Sequence, residues 1–384
     1  MFQLKKVLNA NIRDELESVG FDNSYIDCAS SKYNYVNIKI FNLTLPQTNI
    51  LKQTSLSVGA DCAVHKDILT ADIKTSDCIL GGSISQLRNI IKKLEVQSFS
   101  MKVLAKQLDS IISYKKITVP KIVGILNLTT NSFSDGGCFY KFEDAVSHLN
   151  KLIDEGADII DIGAESTKPY SSAVPADEQL ERIKPILNYI NKNNISVPIS
   201  IDTRSSIVAK CAIDMGASII NDVSGFDYDK NMVNVCADSK VKVIIQHSQG
   251  TPENMQDAPT YEHLIDDIYK NLYSKIEYSK CNGVLQDNII IDLGIGFGKT
   301  REQNFQLLNR VNEFESLNCE IMLGLSRKSL LNMQDNSNEE KDIYTLVLNT
   351  LALERKVDYL RVHNVAMNRK LVDLYTDYDK SLME

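Results

Sequence analysis

Short apolar runs recur between residues 121 and 363, and each ends on a residue that can hydrogen-bond or carry charge. There are eight of these runs, and stretches with helical spacing of apolar residues separate them. A strand that is apolar along its whole length is buried on both faces, as in a parallel sheet covered by helices. The pattern predicts an α/β fold, a closed (β/α)8 TIM barrel of ~250 residues with its polar strand ends at one face.

Two of the intervening stretches carry clear helix signals. Residues 142–156 begin with acidic side chains and stop at a glycine, and residues 205–216 have a similar make-up. Pro185 lies inside the helical pattern of residues 177–193, so we expect that helix to kink or to begin again there.

The start of the chain has a different, mixed pattern. Residues 35–40 alternate between apolar and polar as in a half-buried strand, and the run 85–94 places its four bulky apolar residues on one helical face. We predict a small N-terminal α+β domain over residues 1–113 and the barrel over residues 118–384. Three roles remain open for the first domain: it could stabilise the barrel as a cap, mediate assembly, or bind a small molecule.

Composition narrows the class of protein. A net charge of −8 over 384 residues gives no general attraction to nucleic acid or anionic lipid, so we expect neither as a partner. No apolar run reaches the ~20 residues that cross a bilayer, and the opening residues lack a signal-peptide core, which favours a cytoplasmic protein. The eight cysteines are dispersed without a CxxC pair, as expected for reduced thiols.

The polar strand ends have the chemistry of a binding pocket. Carboxylates and amides that converge there can satisfy the amino and ring N–H groups of a flat heterocycle, and each unmade hydrogen bond would cost ~1–3 kcal/mol. Cations after the seventh and eighth runs stand where barrels of this class bind phosphate, which implies an anionic substrate group. The inward-facing residues are Asn127, Asp202, Asn221, Gln246, Asp292, Lys328, Arg361 and His363.

The cations are expected to act together. Arg361 and His363 are two residues apart on one strand, so both should reach the same anion, and Arg327 adds a positive charge nearby. A single Asp after a strand is more often a helix cap than a binding residue. A binding site is favoured here because polar residues follow many of the predicted strands. The GxGxG spacing of residues 294–298 departs from a dinucleotide fingerprint and predicts a tight loop.

Seven segments carry a family resemblance: GILNLTTNSFSDGG (124–137), DIGAESTKP (161–169), SIDT (200–203), IINDVSG (219–225), DLGIGFGK (292–299), LSRKS (325–329) and RVH (361–363). In this order they resemble the motifs of the dihydropteroate synthase family over residues 120–375. The first 113 residues match no partner domain of the folate pathway that we recognise, so a fused pyrophosphokinase or aldolase is not supported.

The resemblance implies an enzyme that condenses 6-hydroxymethyl-7,8-dihydropterin diphosphate with 4-aminobenzoate, giving 7,8-dihydropteroate and pyrophosphate in folate biosynthesis. It implies catalysis by Asp202, Asp292 and Lys328, and a Mg2+ cofactor that Asn127 would ligate beside the diphosphate. The pterin would contact Asp202, Asn221, Asp292 and Lys328, with Gln246 at the neighbouring strand end, and the pyrophosphate would contact Asn127, Arg361 and His363. The 4-aminobenzoate would lie among Phe133, Thr167, Lys168, Pro169, Phe297 and Ser326.

The chain departs from the family pattern near the expected 4-aminobenzoate site. Thr130 and Asn131 replace a Pro-Asp pair, Lys168 stands where Arg is common, and Tyr170 replaces a common Gly. Loss of a proline and of a bidentate arginine changes loop stiffness and anion contacts. We expect retained pterin binding and altered sensitivity to sulfonamides, which target this family.

Two other functions remain open at this point. A pterin-dependent methyltransferase barrel would share the pterin contacts but would not need cations for a diphosphate. A catalytically degenerate barrel would act as a binding or scaffold partner. Pyrophosphate release that depends on 4-aminobenzoate distinguishes the synthase from both. Related barrels commonly pair, which leaves a homodimer open.

Overall fold

The computed structural model describes residues 3–68, 70–113, 119–128, 142–165, 173–250, 259–331 and 337–380. The chain divides into two units, Met1–Lys116 and Ile117–Glu384. Each unit has its own hydrophobic core.

The N-terminal unit contains a three-stranded antiparallel sheet in the order β1-β3-β2. The strands are β1 (Tyr35–Thr44), β2 (Asp61–Val64) and β3 (Thr75–Ser83), and the helices are α1 (Ile12–Ser18), α2 (Ile26–Tyr33), α3 (Leu45–Leu56), α4 (Ile84–Leu94) and α5 (Met101–Ser113). Short 3-10 turns occur at Asn9–Asn11, Asn23–Tyr25 and Lys66–Ile68. The predicted α+β domain is therefore confirmed.

Helix α4 shows how this unit is built from its sequence. Ser83 and Gln86 form a capping box, in which the Ser83 hydroxyl accepts from the backbone N–H of Gln86 and the Gln86 side chain accepts from the backbone N–H of Ser83. The four predicted apolar positions of the helix are all buried in the core of the unit: Leu87, Ile90, Ile91 and Leu94. The strand expected at residues 35–40 is also present, as part of β1.

The second unit is a closed barrel of eight parallel strands in chain order, with the last strand pairing with the first. The strands are β4 (Lys121–Asn127), β5 (Ile159–Gly163), β6 (Ile199–Asp202), β7 (Ile219–Asp222), β8 (Lys242–Gln246), β9 (Ile289–Asp292), β10 (Glu320–Leu323) and β11 (Tyr359–Val362). The predicted (β/α)8 barrel is confirmed.

Helices follow the strands and pack outside them. They are α6 (Phe142–Asp154), α7 (Ala176–Lys192), α8 (Ser206–Asp214), α9 (Met232–Ser239), α10 (Leu264–Cys281), α11 (Arg301–Asn309), α12 (Asn338–Glu354) and α13 (Val365–Lys380), with 3-10 turns at Gln286–Asn288, Val311–Leu317 and Ser329–Leu331. None of the helices in the described ranges is both long and apolar enough to span a membrane.

A layer of apolar side chains fills the barrel interior below the strand ends. Seven strands contribute one residue each: Val123, Ile159, Ile219, Ile244, Ile290, Met322 and Tyr359. A filled interior leaves the polar residues at the carboxyl ends as the accessible face of the barrel.

One of the two outcomes expected at Pro185, a new start of the helix, does not occur. Helix α7 runs from Ala176 to Lys192 through Pro185 as one element. Pro185 is exposed, whereas Ile183, Ile186 and Leu187 on either side of it are buried against the barrel. Packing of this apolar face stabilises the helix across the missing N–H donor.

Candidate active site

The polar strand ends meet at one face of the barrel, as expected. The strand register places Asp202 beside Asn221 and Gln246 beside Asp292. All four side chains are buried, with relative exposures between 1% and 6%. Buried polar groups of this density need partners or a ligand.

Asp161 is the residue that links these strand ends, and sequence reasoning gave it no role. Its Oδ2 accepts a hydrogen bond from Arg361 Nε at 2.6 Å and another from Asn221 Nδ2 at 3.1 Å. Arg361 Nη2 donates to Asp202 Oδ2 at 2.7 Å, so one guanidinium joins two buried carboxylates. The available signal was a charged residue inside the apolar strand β5.

Two buried oxygens in this cluster accept no hydrogen bond from any described residue. They are Oδ1 of Asp161 and Oδ1 of Asn221. An unsatisfied buried acceptor costs about 1–3 kcal/mol, and a ligand that brings N–H donors removes this cost. The cluster is therefore suited to a donor-rich ring.

The turn 294–298 carries the other half of the pocket. Asp292 Oδ1 accepts a hydrogen bond from the backbone N–H of Gly294 at 2.7 Å. Lys328 Nζ donates to the carbonyl oxygen of Ile295 and lies 4.6 Å from the ring centroid of Phe297. The turn thus contacts both an acidic and a basic residue of the predicted site.

Burial shifts the protonation of these groups. It raises the pKa of Asp292, while Lys328 opposes the rise, and it lowers the pKa of Lys328 to about 8, while Asp292 opposes the fall. Burial raises the pKa of Asp202 to about 7 despite the attraction of Arg361. Burial would lower the pKa of Arg361, but Asp161 and Asp202 together raise it, so the guanidinium remains charged.

Two expected cations do not serve as free cations. Burial, followed by repulsion from Arg327 and Arg361, lowers the pKa of His363 to about 3, so this imidazole is neutral near pH 7. Its Nδ1 lies 2.9 Å from Ser326 Oγ. Arg327 donates through Nε and Nη2 to the two oxygens of Asp342, both at 2.8 Å. In this structure His363 is therefore neutral rather than a second cation beside Arg361, and Arg327 is already paired.

The remaining predicted residues have the following positions. Gln246 Nε2 donates to the carbonyl oxygen of Val223 at 3.4 Å, and Asn127 is half-buried at the end of β4. No group of three or more His, Cys, Asp or Glu residues within the described ranges could hold a metal ion. The 4-aminobenzoate candidates Phe133, Thr167, Lys168 and Pro169, and the departures Thr130, Asn131 and Tyr170, lie outside the described residues.

A buried ion pair borders segment 166–172. Arg204 donates to Glu165 through Nε at 3.1 Å and through Nη2 at 2.6 Å, and the backbone N–H of Val174 donates to the same carboxylate at 3.2 Å. The Arg204 guanidinium also stacks on Tyr228, 4.5 Å from the ring centroid. Glu165 therefore joins the two ends of the segment that carries three of the 4-aminobenzoate candidates.

Comparison with known proteins fits this geometry. A barrel with a buried acid and amide cluster at its carboxyl face belongs to the class of barrel enzymes that bind small polar substrates there. The family model for pterin binding enzymes matches residues 123–363, and the chain belongs to this family. Within the family it groups with the dihydropteroate synthases. It is 41% identical to the dihydropteroate synthase of Clostridium beijerinckii over 65% of this chain and 90% of that protein.

Other relatives extend beyond the barrel. A bifunctional dihydropteroate synthase/dihydropteroate reductase of Helicobacter pylori is 31% identical over 96% of this chain and 97% of that protein. The first 113 residues, which matched no partner domain that we recognise, thus have a counterpart there. The chain spans only 41% of a Haloferax volcanii relative, a probable bifunctional folylpolyglutamate synthase/dihydropteroate synthase.

A solved structure supports the fold and the family. The dihydropteroate synthase of Xanthomonas albilineans with 4-aminobenzoic acid has a TM-score of 0.63 and 33% sequence identity. The match covers 68% of this chain and 93% of that one. The shared part therefore corresponds in extent to the barrel.

Proposed function

We propose that the barrel is a dihydropteroate synthase that joins 6-hydroxymethyl-7,8-dihydropterin diphosphate to 4-aminobenzoate. The observation that carries this proposal is the buried cluster of Asp161, Asp202, Asn221 and Asp292. Two acceptor oxygens in this cluster have no donor among the described residues. A pterin ring presents an amino group and ring N–H groups on one edge. Those donors would satisfy acceptors that the described residues leave open.

Arg361 would be the main residue that holds the diphosphate. Arg361 is charged, and within the described part of the chain it uses two of its five N–H groups, on Asp161 and Asp202, so three would be available to phosphate oxygens. His363 would add a hydrogen bond from a neutral imidazole rather than a charge. Asn127 would lie at the same end of the barrel.

The reaction follows from the leaving group. The C–O bond between the exocyclic methylene and the diphosphate breaks, and pyrophosphate leaves with the bonding pair. The amine nitrogen of 4-aminobenzoate then forms a bond to that methylene carbon and loses one proton. Asp202 and Asp292 would favour the positive charge that the dihydropterin carries between these events, by electrostatic stabilisation in a buried site.

Asn127 is the residue we propose for Mg2+. Its amide stands beside Gly163, where an added Cβ would lie 3.6 Å from Asn127 Oδ1, so the glycine leaves space next to this oxygen. One amide oxygen suits a hard cation that keeps water and takes other oxygens from a diphosphate. When bound, Mg2+ would stabilise negative charge on the leaving pyrophosphate. Titration calorimetry with pyrophosphate should show weaker binding after Asn127→Ala in the presence of Mg2+, and equal affinities would argue against this ligand.

The arylamine site is proposed to include Ser326 and Phe297 together with the sequence-predicted residues Thr167, Lys168 and Pro169. Sulfonamides resemble 4-aminobenzoate, so we also propose that they bind here, with a sensitivity altered by Lys168 and Tyr170. Sulfamethoxazole inhibition should be compared between the wild type and a Lys168→Arg, Tyr170→Gly double variant. Identical inhibition constants would remove the proposed effect of the departures.

The test of the main proposal is pyrophosphate release that requires 4-aminobenzoate, together with dihydropteroate detected by mass spectrometry. Asp202→Asn should lower turnover at least tenfold. Asp214→Asn is the matched control, because Asp214 is an exposed carboxylate paired with Lys210 on helix α8 outside the barrel. A wild-type protein that releases no pyrophosphate with both substrates would overturn the proposal in favour of a non-catalytic barrel.

A second activity is proposed for the whole chain, namely reduction of dihydropteroate. The Helicobacter pylori bifunctional relative aligns with 96% of this chain, so most of the N-terminal unit lies within the match. Reduction to tetrahydropteroate requires two electrons and two protons. A reduced nicotinamide would supply a hydride, with the second proton from solvent, whereas a reduced flavin would supply both electrons and both protons. Incubation of dihydropteroate with either NADPH or reduced FMN should yield tetrahydropteroate; no product with either donor would refute this activity.

We propose that the chain forms a homodimer. Helix α12 carries a stripe of exposed apolar residues at four-residue spacing, and Ile343, Val347 and Leu351 are 52%, 56% and 51% exposed. Such a stripe is suited to burial against another apolar face. Light scattering should give a dimer that Val347→Glu converts to a monomer, and a monomeric wild type would refute the proposal.

A further inference from the structure

We infer that Lys299 is a positioning residue for the pterin pocket, because its buried ammonium group fixes the turn 294–298 that holds Asp292 and Lys328. The inference rests on the proposed function, since it concerns binding of the pterin substrate. Lys299 follows the turn directly and precedes helix α11.

The Lys299 ammonium is fully used by its surroundings. An ammonium has three N–H donors. Lys299 Nζ lies 2.9 Å from Gly294 O, 3.0 Å from Phe297 O and 3.0 Å from His247 Nδ1. The residue is 2% exposed, so the three donors meet three protein acceptors rather than water. Two of these acceptors are carbonyl oxygens of the turn itself.

The same turn contacts the pterin residues through its other groups. The N–H of Gly294 donates to the carboxylate of Asp292, the carbonyl oxygen of Ile295 accepts from Lys328, and the Phe297 ring covers the Lys328 ammonium. Gly294 contacts Asp292 through its N–H, and Phe297 contacts Lys328 through its ring. The carbonyl oxygens of these same two residues accept hydrogen bonds from Lys299. A shift of the turn would therefore move both an acidic and a basic group of the pocket.

The backbone of the turn needs an anchor of this kind. Gly294, Gly296 and Gly298 all have positive φ, at +65°, +84° and +60°. Glycine adopts such angles freely, so the sequence alone does not hold the turn in one conformation. A second anchor acts on the same turn, because the side-chain oxygen of Asn304 accepts from the N–H of Gly296 at 2.7 Å.

The local charges set the pH range of this role. Burial lowers the pKa of Lys299 to about 7, while the negative charge of Asp292 opposes the fall and the positive charge of Lys328 adds to it, so the ammonium form with three donors predominates below pH 7. Burial, with repulsion from Lys299 and Lys275, places the pKa of His247 well below its ordinary value, so the imidazole is neutral and can accept at Nδ1. A methionine would fill the same space without the desolvation of an ammonium.

The experiment compares Lys299→Met with Lys275→Met in the full-length protein. Lys275 is the matched control, because it is a second buried lysine of the barrel, 8% exposed, and donates to Ser224 O and to Asp227. We expect Lys299→Met to raise the KM for the dihydropterin diphosphate at least tenfold and to leave the KM for 4-aminobenzoate within threefold. Lys275→Met should leave both values within threefold.

Asn304→Ala provides a second variant of the same turn if Lys299→Met does not fold. It should raise the pterin KM in the same selective way but less strongly, and calorimetry with the pterin diphosphate should show the same order of affinities. A folded Lys299→Met protein whose pterin KM rises less than tenfold, or a folded Asn304→Ala protein whose pterin KM stays within twofold of the wild type, would overturn the inference. If the wild type turns over normally in that case, the proposed function stands and the inference alone fails. If the wild type neither binds the pterin nor reacts, the proposed function fails, and the inference fails with it.

Discussion

Replacement of Arg361 by methionine should destabilise the barrel, and the loss should depend on pH. The guanidinium bridges Asp161 and Asp202, whose side chains are 0% and 7% exposed, while Arg361 itself is 18% exposed. Arg361→Met keeps an apolar stem in place but leaves two buried carboxylates without their shared cation. Uncompensated buried charge is one of the larger destabilising effects known in proteins.

The expected size of the effect follows from burial. Removing one partner of a buried ion pair costs about 3–5 kcal/mol. The pKa of Asp202 is already raised to about 7 by burial. The folded state therefore binds more protons than the unfolded state between about pH 4 and pH 7, and stability falls as pH rises through that range. Without Arg361 this pKa rises further, so the fall continues above pH 7, by about 1.4 kcal/mol for each unit of the rise.

Urea unfolding followed by circular dichroism at pH 5.5 and pH 8.0 tests this expectation. The loss of unfolding free energy for Arg361→Met should be larger at pH 8.0. Lys242→Met is the control, since its pair with Glu320 is 34% and 25% exposed and should contribute about 0–1 kcal/mol at either pH. Equal losses for Arg361→Met at the two pH values, or a loss below about 1 kcal/mol at pH 8.0, would refute the reasoning.

Three further outcomes are expected. Lys328→Ala should lower kcat/KM for the pterin substrate by about 100-fold or more in the pyrophosphate assay, and an unchanged value would remove it from the site. Gly294→Ala should lower stability in urea more than Gly283→Ala, because both have positive φ but only at Gly294 does an added Cβ overlap a backbone carbonyl oxygen. Glu165→Gln should raise the KM for 4-aminobenzoate and leave pterin affinity unchanged, as measured by steady-state kinetics and calorimetry, because Glu165 joins the ends of segment 166–172.

The barrel could be predicted because its strands depend on local pattern. Runs such as 121–127 and 289–292 are apolar on both faces. This pattern can be recognised in the sequence without knowing which strands lie next to each run. The path of α7 through Pro185 could not be predicted from the helix alone. Its continuity depends on how the apolar face on either side of the proline packs against the barrel, which is a tertiary effect.

The positions of the site residues could be predicted better than their protonation and charge. The register of parallel strands places terminal residues side by side, so the meeting of Asp202 with Asn221 follows from the fold. Asp161 was missed because it lies inside a strand rather than at its end. The charge of His363 could not be predicted, because its pKa depends on burial and on nearby arginines that the sequence does not place.

The contrast between the two arginines of the site shows why a charge at a strand end is not yet an anion site. Arg327 donates through two of its nitrogens to both oxygens of a single carboxylate, Asp342, so its charge is balanced by that partner. Arg361 instead donates one hydrogen bond to each of two carboxylates, and together they keep it ionised and fixed in orientation. Among the described residues only these two carboxylates accept from the Arg361 side chain, so three of its N–H groups are available to a ligand, and the side chain needs little further ordering to use them. The arrangement of the acidic partners therefore decides which arginine can hold the diphosphate. Arg327 is paired with both oxygens of one carboxylate, whereas Arg361 shares two carboxylates and keeps donors for a ligand.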